Sequence, residues 1–82
     1  MNKERRQELG DALDYLDDAI FRLEEIRGDE QDAYDSLSEG LQNSKTGDSM
    51  LEAIDRIDGF CDDIEVIKDK ISAMMINNKR CN

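Results

Sequence analysis

Apolar residues in the first half of the chain fall at Leu9, Ala12, Leu13, Leu16, Ala19, Ile20, Leu23, Ile26, Ala33, Tyr34 and Leu37. Steps of three and four put them on one side of a helix, in a stripe three heptad positions wide. The second half repeats the pattern at Met50, Ala53, Ile54, Ile57, Phe60, Cys61, Ile64, Ile67, Ile71, Met74 and Met75. The pattern predicts amphipathic helices over residues 3–36 and 48–77. Between them, 37–47 reads as a loop: Gly40, Asn43, Ser44, Thr46 and Gly47 are turn formers. Leu37 and Leu41 are expected to close the hairpin end, and Asp48 to cap the second helix. Asn77 and Asn78 are expected to end that helix, Lys79 and Arg80 to suit its negative pole, and 78–82 to fray.

Two helices joined by a short connection pack antiparallel. The fold class expected is therefore all-α, a single-domain two-helix antiparallel hairpin. One hairpin contact covers only part of a stripe this wide, so two hairpins are expected to pair as a homodimeric four-helix bundle. Arg27 and Lys68 occupy positions that the repeat would make apolar. Long stems can reach out from a core edge, with Glu24 or Glu30 as the expected partner of Arg27 and Glu65 that of Lys68. Gly10 and Gly59 sit inside helices, each at about 1 kcal/mol relative to alanine. They read as surface glycines or as points where a partner comes close.

Composition narrows the function. The 82 residues carry a net charge of −10, with 39% charged residues and no proline or tryptophan. Such a balance can indicate disorder, but the helical periodicity argues against it. A pI near 4.3 speaks against direct binding to nucleic acid or an anionic membrane, and for a basic partner. No apolar run is long enough to span a membrane, and no apolar stretch follows the basic start. A cytoplasmic protein with reduced thiols is expected. Cys61 lies on the stripe as a small core residue, while Cys81 could cross-link chains when oxidised. There is no histidine, which removes imidazole acid–base chemistry and histidine-activated nucleophiles. No catalytic residue, metal site or cofactor is expected, weak divalent binding to surface carboxylates being the one alternative.

The acidic residues are ordered. Asp55, Asp58, Asp62, Glu65 and Asp69 lie one above another on the second helix. Like charges at these spacings destabilise a helix by a few tenths of a kcal/mol per pair. On the first helix Asp11, Asp14, Asp18 and Glu25 share a face with Phe21, flanked by Asp17 and Glu24. Phe21 and Tyr15 are both off the apolar stripe. An aromatic ring among carboxylates suits a binding spot, because aromatics are enriched at interface hot spots. Helical neighbours at these spacings are about 5–6 Å apart, close to successive phosphates along a nucleic-acid strand. The candidate partner-binding residues are Asp14, Asp18, Phe21, Glu25, Asp55, Asp58, Asp62, Glu65 and Asp69. Lys3, Arg5, Arg6, Lys68, Lys70, Lys79 and Arg80 gather where the termini should meet, which leaves an acidic body.

The stretch EEIRGDEQDAYDSLSEGLQNSKTGDSMLEAIDRID also resembles a set of short, acidic, helical proteins of bacteria and their phages. The shared features are an acidic run before Ala33-Tyr34-Asp35, then Leu37, Glu39, Leu41-Gln42-Asn43-Ser44 and Gly47. Such proteins tend to carry proline where Ser38 stands. The resemblance covers the middle half of the chain and implies a hairpin and a phage or mobile-element origin. It assigns no activity and carries over no site. The function expected is a small interaction protein that blocks or modulates a basic, nucleic-acid-binding protein. The alternative is an assembly module that self-associates or docks through Phe21 and Tyr15.

Overall fold

A computed structural model describes the backbone of residues 1–81 and the side chains of residues 1–76. The described chain forms three helices: α1 (Lys3–Asp35), α2 (Glu39–Gln42) and α3 (Lys45–Cys81). Asn2 caps α1, its Oδ1 accepting the Arg5 N–H at 2.9 Å. The helix stops where the Leu37 N–H turns back to the Tyr34 carbonyl at 3.0 Å. Ser38 then adopts an extended backbone and caps α2, its hydroxyl accepting the Leu41 N–H. The Gln42 side chain donates to the Tyr34 carbonyl at 3.1 Å, tying α2 to the end of α1.

The connection differs from the one expected. Residues 37–47 are not one loop: they contain the turn of α2, and α3 begins at Lys45. Asp48 is not its cap but lies in its first turn, where a carboxylate suits the positive pole. Leu37 is half-buried at the hairpin end, but Leu41 is largely exposed. At the far end α3 continues past Asn77 and Asn78 through Cys81. Asparagine lowers helix propensity by only a fraction of a kcal/mol, and no proline or glycine enforces a stop. Asn82 lies outside the described residues, as do the roles expected for the Lys79, Arg80 and Cys81 side chains.

α1 and α3 lie side by side along a body of 62 × 15 × 12 Å. Asp17 meets Lys68 and Arg27 meets Asp58, so residue numbers rise on one helix as they fall on the other. The contact seam alternates steps of three and four. On α1 it runs Leu9, Leu13, Leu16, Ile20, Leu23, Arg27, Glu30 and Tyr34; on α3, Met50, Ile54, Ile57, Cys61, Ile64, Lys68, Ile71 and Met75. All of these are half-buried or buried. Among the described residues the apolar side chains fully buried are Ile20 and Ile54, 8% and 5% exposed. Ile20 sits mid-seam, and Ile54 one step in from the loop end of the α3 seam.

The positions beside the seam separate the hairpin into two broad faces. In an antiparallel pair, residues just before a seam position share one side and those just after share the other. One face therefore carries Ala12, Ala19, Ile26 and Ala33 from α1 with Ala53, Phe60, Ile67 and Met74 from α3. Ile26, Phe60, Ile67 and Met74 are between 42% and 54% exposed. The opposite face carries Asp17, Glu24 and Gln31 with Leu51, Asp58, Glu65 and Ser72. The third position of the apolar stripe is thus left open, on one side of the molecule only.

Candidate interaction face

The carboxylates of the two helices converge on the face opposite the apolar one. Two cations from the seam lie on it. The Arg27 guanidinium donates to Asp58 at 2.6 Å across the hairpin. Its partner is therefore neither Glu24 nor Glu30: a seam side chain points at the facing helix, so the cross-helix carboxylate is the nearer. Lys68 pairs with Glu65 at 3.6 Å, as expected, and also with Asp17 of α1. Asp17 and Glu65 together raise the Lys68 pKa, the Asp17 hydrogen bond being the largest cause, against a smaller opposing effect of desolvation.

Cys61 reports the same convergence. It is a free thiol, half-buried on the seam. Burial pushes its pKa up, and the charges of Glu24, Asp58, Asp62 and Glu65 push it further. One of those four carboxylates comes from α1 and three from α3. Cys61 should consequently be a slow nucleophile, because the thiolate is the reactive form. Alkylation by iodoacetamide at pH 8, followed on the Cys61 peptide, is expected to be slower in the folded chain than in urea. Equal rates would place the thiol outside the acidic cluster.

The residues expected to bind a partner are distributed unevenly. Asp55, Asp58, Asp62, Glu65 and Asp69 all lie on the acidic face or its α3 margin and are exposed. Asp58 and Glu65 are held by Arg27 and Lys68. Asp55, Asp62 and Asp69 have no ion pair among the described residues. Their seven-residue spacing corresponds to about 10.5 Å at 1.5 Å per residue. The unpaired row is therefore coarser than the phosphate spacing that the full ladder suggested. From α1, Asp14, Asp18 and Glu25 are exposed, and Phe21 stands among them at 64% exposure. Phe21, Asp18, Arg22 and Glu25 line a shallow hollow. Tyr15 is also exposed. Six positions from Phe21, it lies about 120° away around the helix, on the apolar side. The two aromatics therefore do not form one docking patch.

Asp17 and Glu24 belong to this face as fully as the residues singled out from the sequence. Fixing the seam first and taking the position after it on each helix identifies both. Glu52 is held by Arg56 at 2.9 Å on the outer side of α3. Among the described residues no group of acidic or thiol side chains is arranged to hold a metal ion, and no helix is long and apolar enough to cross a membrane. No protein-family model, curated protein or solved structure matches the chain.

Proposed function

We propose that the chain is a small acidic interaction protein that occupies a basic, nucleic-acid-binding surface on another protein and thereby blocks or modulates it. The observation that carries this reading is the gathering of carboxylates from both helices on one face. Aligned acidic side chains cost helix stability, and a solvated face alone has no need of them. On this reading Asp55, Asp62 and Asp69, with Asp14, Asp18 and Glu25, attract the partner. Phe21 is the apolar anchor among them, aromatics being typical hot-spot residues. Asp58 serves the hairpin's own register, and Glu65 is held by Lys68 within α3. The resemblance to short acidic proteins of bacteria and phages makes a bacterial partner the natural one.

Neutralising the unpaired row separates binding from folding. The triple variant Asp55→Asn, Asp62→Asn, Asp69→Asn removes repulsion of a few tenths of a kcal/mol per neighbouring pair, so melting should hold or rise slightly. The control variant Asp58→Asn breaks the cross-helix bridge to Arg27 and should lower stability by up to about 1 kcal/mol. A heparin-binding fraction of a bacterial lysate is passed over immobilised wild type and triple variant. The expected result is a protein retained by wild type, eluted by salt, not retained by the triple variant, and displaced from DNA by the free hairpin. Its association should slow as ionic strength rises. If both columns retain the same proteins, the acidic face is only a solvated one.

Self-association is the second reading, favoured by the open apolar face. It is compatible with the first, because the two faces lie on opposite sides.

A further inference from the structure

The hairpin is too exposed for its mass. A compact monomer of 9.4 kDa should present roughly 5,000 Å² of surface by the usual scaling of area with mass. This chain presents 6222 Å². The excess, on the order of 1,200 Å², is similar in size to what each partner loses at a specific protein–protein interface, about 800 Å². It is matched by a core thin for the length of the helices, and an isolated chain of this size is marginal even with a full one.

The open apolar face is complementary to itself. Its α1 row is small over most of its length, with Ala12, Ala19 and Ala33; its α3 row is large, with Phe60, Ile67 and Met74. A two-fold axis parallel to the helices lays the large row of each copy on the small row of the other. Such an isologous contact closes on two molecules. The charges bordering the face obey the same operation. The Asp17–Lys68 and Arg27–Asp58 contacts set the register of the hairpin, which puts Arg22 level with Asp63 and Asp29 level with Arg56. Across the axis each meets an opposite charge of the second copy.

We infer that a second copy of this chain covers the Ile26–Phe60–Ile67 face, with both hairpin loops at the same end, giving a four-helix bundle with its two acidic faces outward. This rests on the self-association reading above and names its surface and symmetry. It also makes the assembly bivalent: two basic partners can dock on opposite sides.

Adjacent residues provide the test. Val66 and Ile67 are similarly exposed, 51% and 47%, yet only Ile67 lies on the proposed interface. In sedimentation equilibrium, wild type and Val66→Glu should be dimers at tens of micromolar. Ile67→Glu should weaken the dimer about 100-fold, because it buries an unpaired charge. The wild-type melting temperature should rise with protein concentration, as for any folded state stabilised by its own association. That measurement stands even if Ile67→Glu fails to fold. Spin labels at Glu39→Cys, with Cys61 and Cys81 replaced by alanine, should sit within the width of the bundle of one another. A monomeric wild type with a concentration-independent melt, a dimeric Ile67→Glu, a Val66→Glu that dissociates equally, or labels separated by nearly the 62 Å length of the hairpin would each overturn the inference. None of these results depends on the basic partner, so the two proposals fail separately.

Discussion

Replacing Ile54 by aspartate is expected to unfold the protein at room temperature. Ile54 is the most buried apolar side chain described, 5% exposed and on the seam. Truncating such a residue to alanine typically costs about 2–5 kcal/mol. A carboxylate adds the cost of an unpaired charge without water, about 3–5 kcal/mol where one member of a buried pair is left alone. Small domains hold only about 5–15 kcal/mol in total, and this one has little else buried. Far-UV circular dichroism should show loss of most helical signal for Ile54→Asp, and a cooperative melt lowered by a smaller step for Ile54→Val, at about 0.5–1.5 kcal/mol. Val66→Asp, on the outer side of α3, should leave the signal intact. A helical Ile54→Asp would mean that the seam is not what holds α1 and α3 together.

The seam itself was legible in the sequence, because steps of three and four have only one helical interpretation. Both long helices follow from it, as does their contact. What periodicity alone left open was the sidedness of the flanking positions. Ile26, Phe60, Ile67 and Met74 read as part of one broad stripe with Leu23, Cys61 and Ile64. They separate from it only when the second helix is laid antiparallel and its facing positions are occupied. The same step moves Asp17 and Glu24 onto the acidic face, and turns Arg27 toward Asp58 and away from its own helix. The Arg27–Asp58 and Lys68–Asp17 pairings are consequences of tertiary register, which local spacing does not contain. The connection departs from its turn propensity for a different reason. Thr46, Gly47 and Asp48 carry turn propensity, but glycine also serves where two backbones must touch, and only the folded turn shows which role applies.

Gly47 makes that distinction measurable. It lies in the first turn of α3, buried against Gln42 of α2. A Cβ on it would stand 2.6 Å from the Gln42 carbonyl carbon and 2.8 Å from its Cα. Those atoms are backbone, so no rotamer change relieves the overlap: α2 or the start of α3 must move. Gln42 is also the residue whose side chain donates to the Tyr34 carbonyl, so displacing it disturbs the end of α1 as well. Gly47→Ala is therefore expected to destabilise the protein by about 1–3 kcal/mol, the range for overpacking a filled site. Gly59→Ala and Gly10→Ala are expected to do the opposite. A methyl group there meets nothing within 4 Å, and alanine is favoured over glycine inside a helix by about 1 kcal/mol. Urea melts of the three variants should rank Gly47→Ala below wild type and the other two at or above it. The sign is informative because propensity alone predicts stabilisation at all three positions. A stabilised Gly47→Ala would show that the α2 turn does not pack on α3.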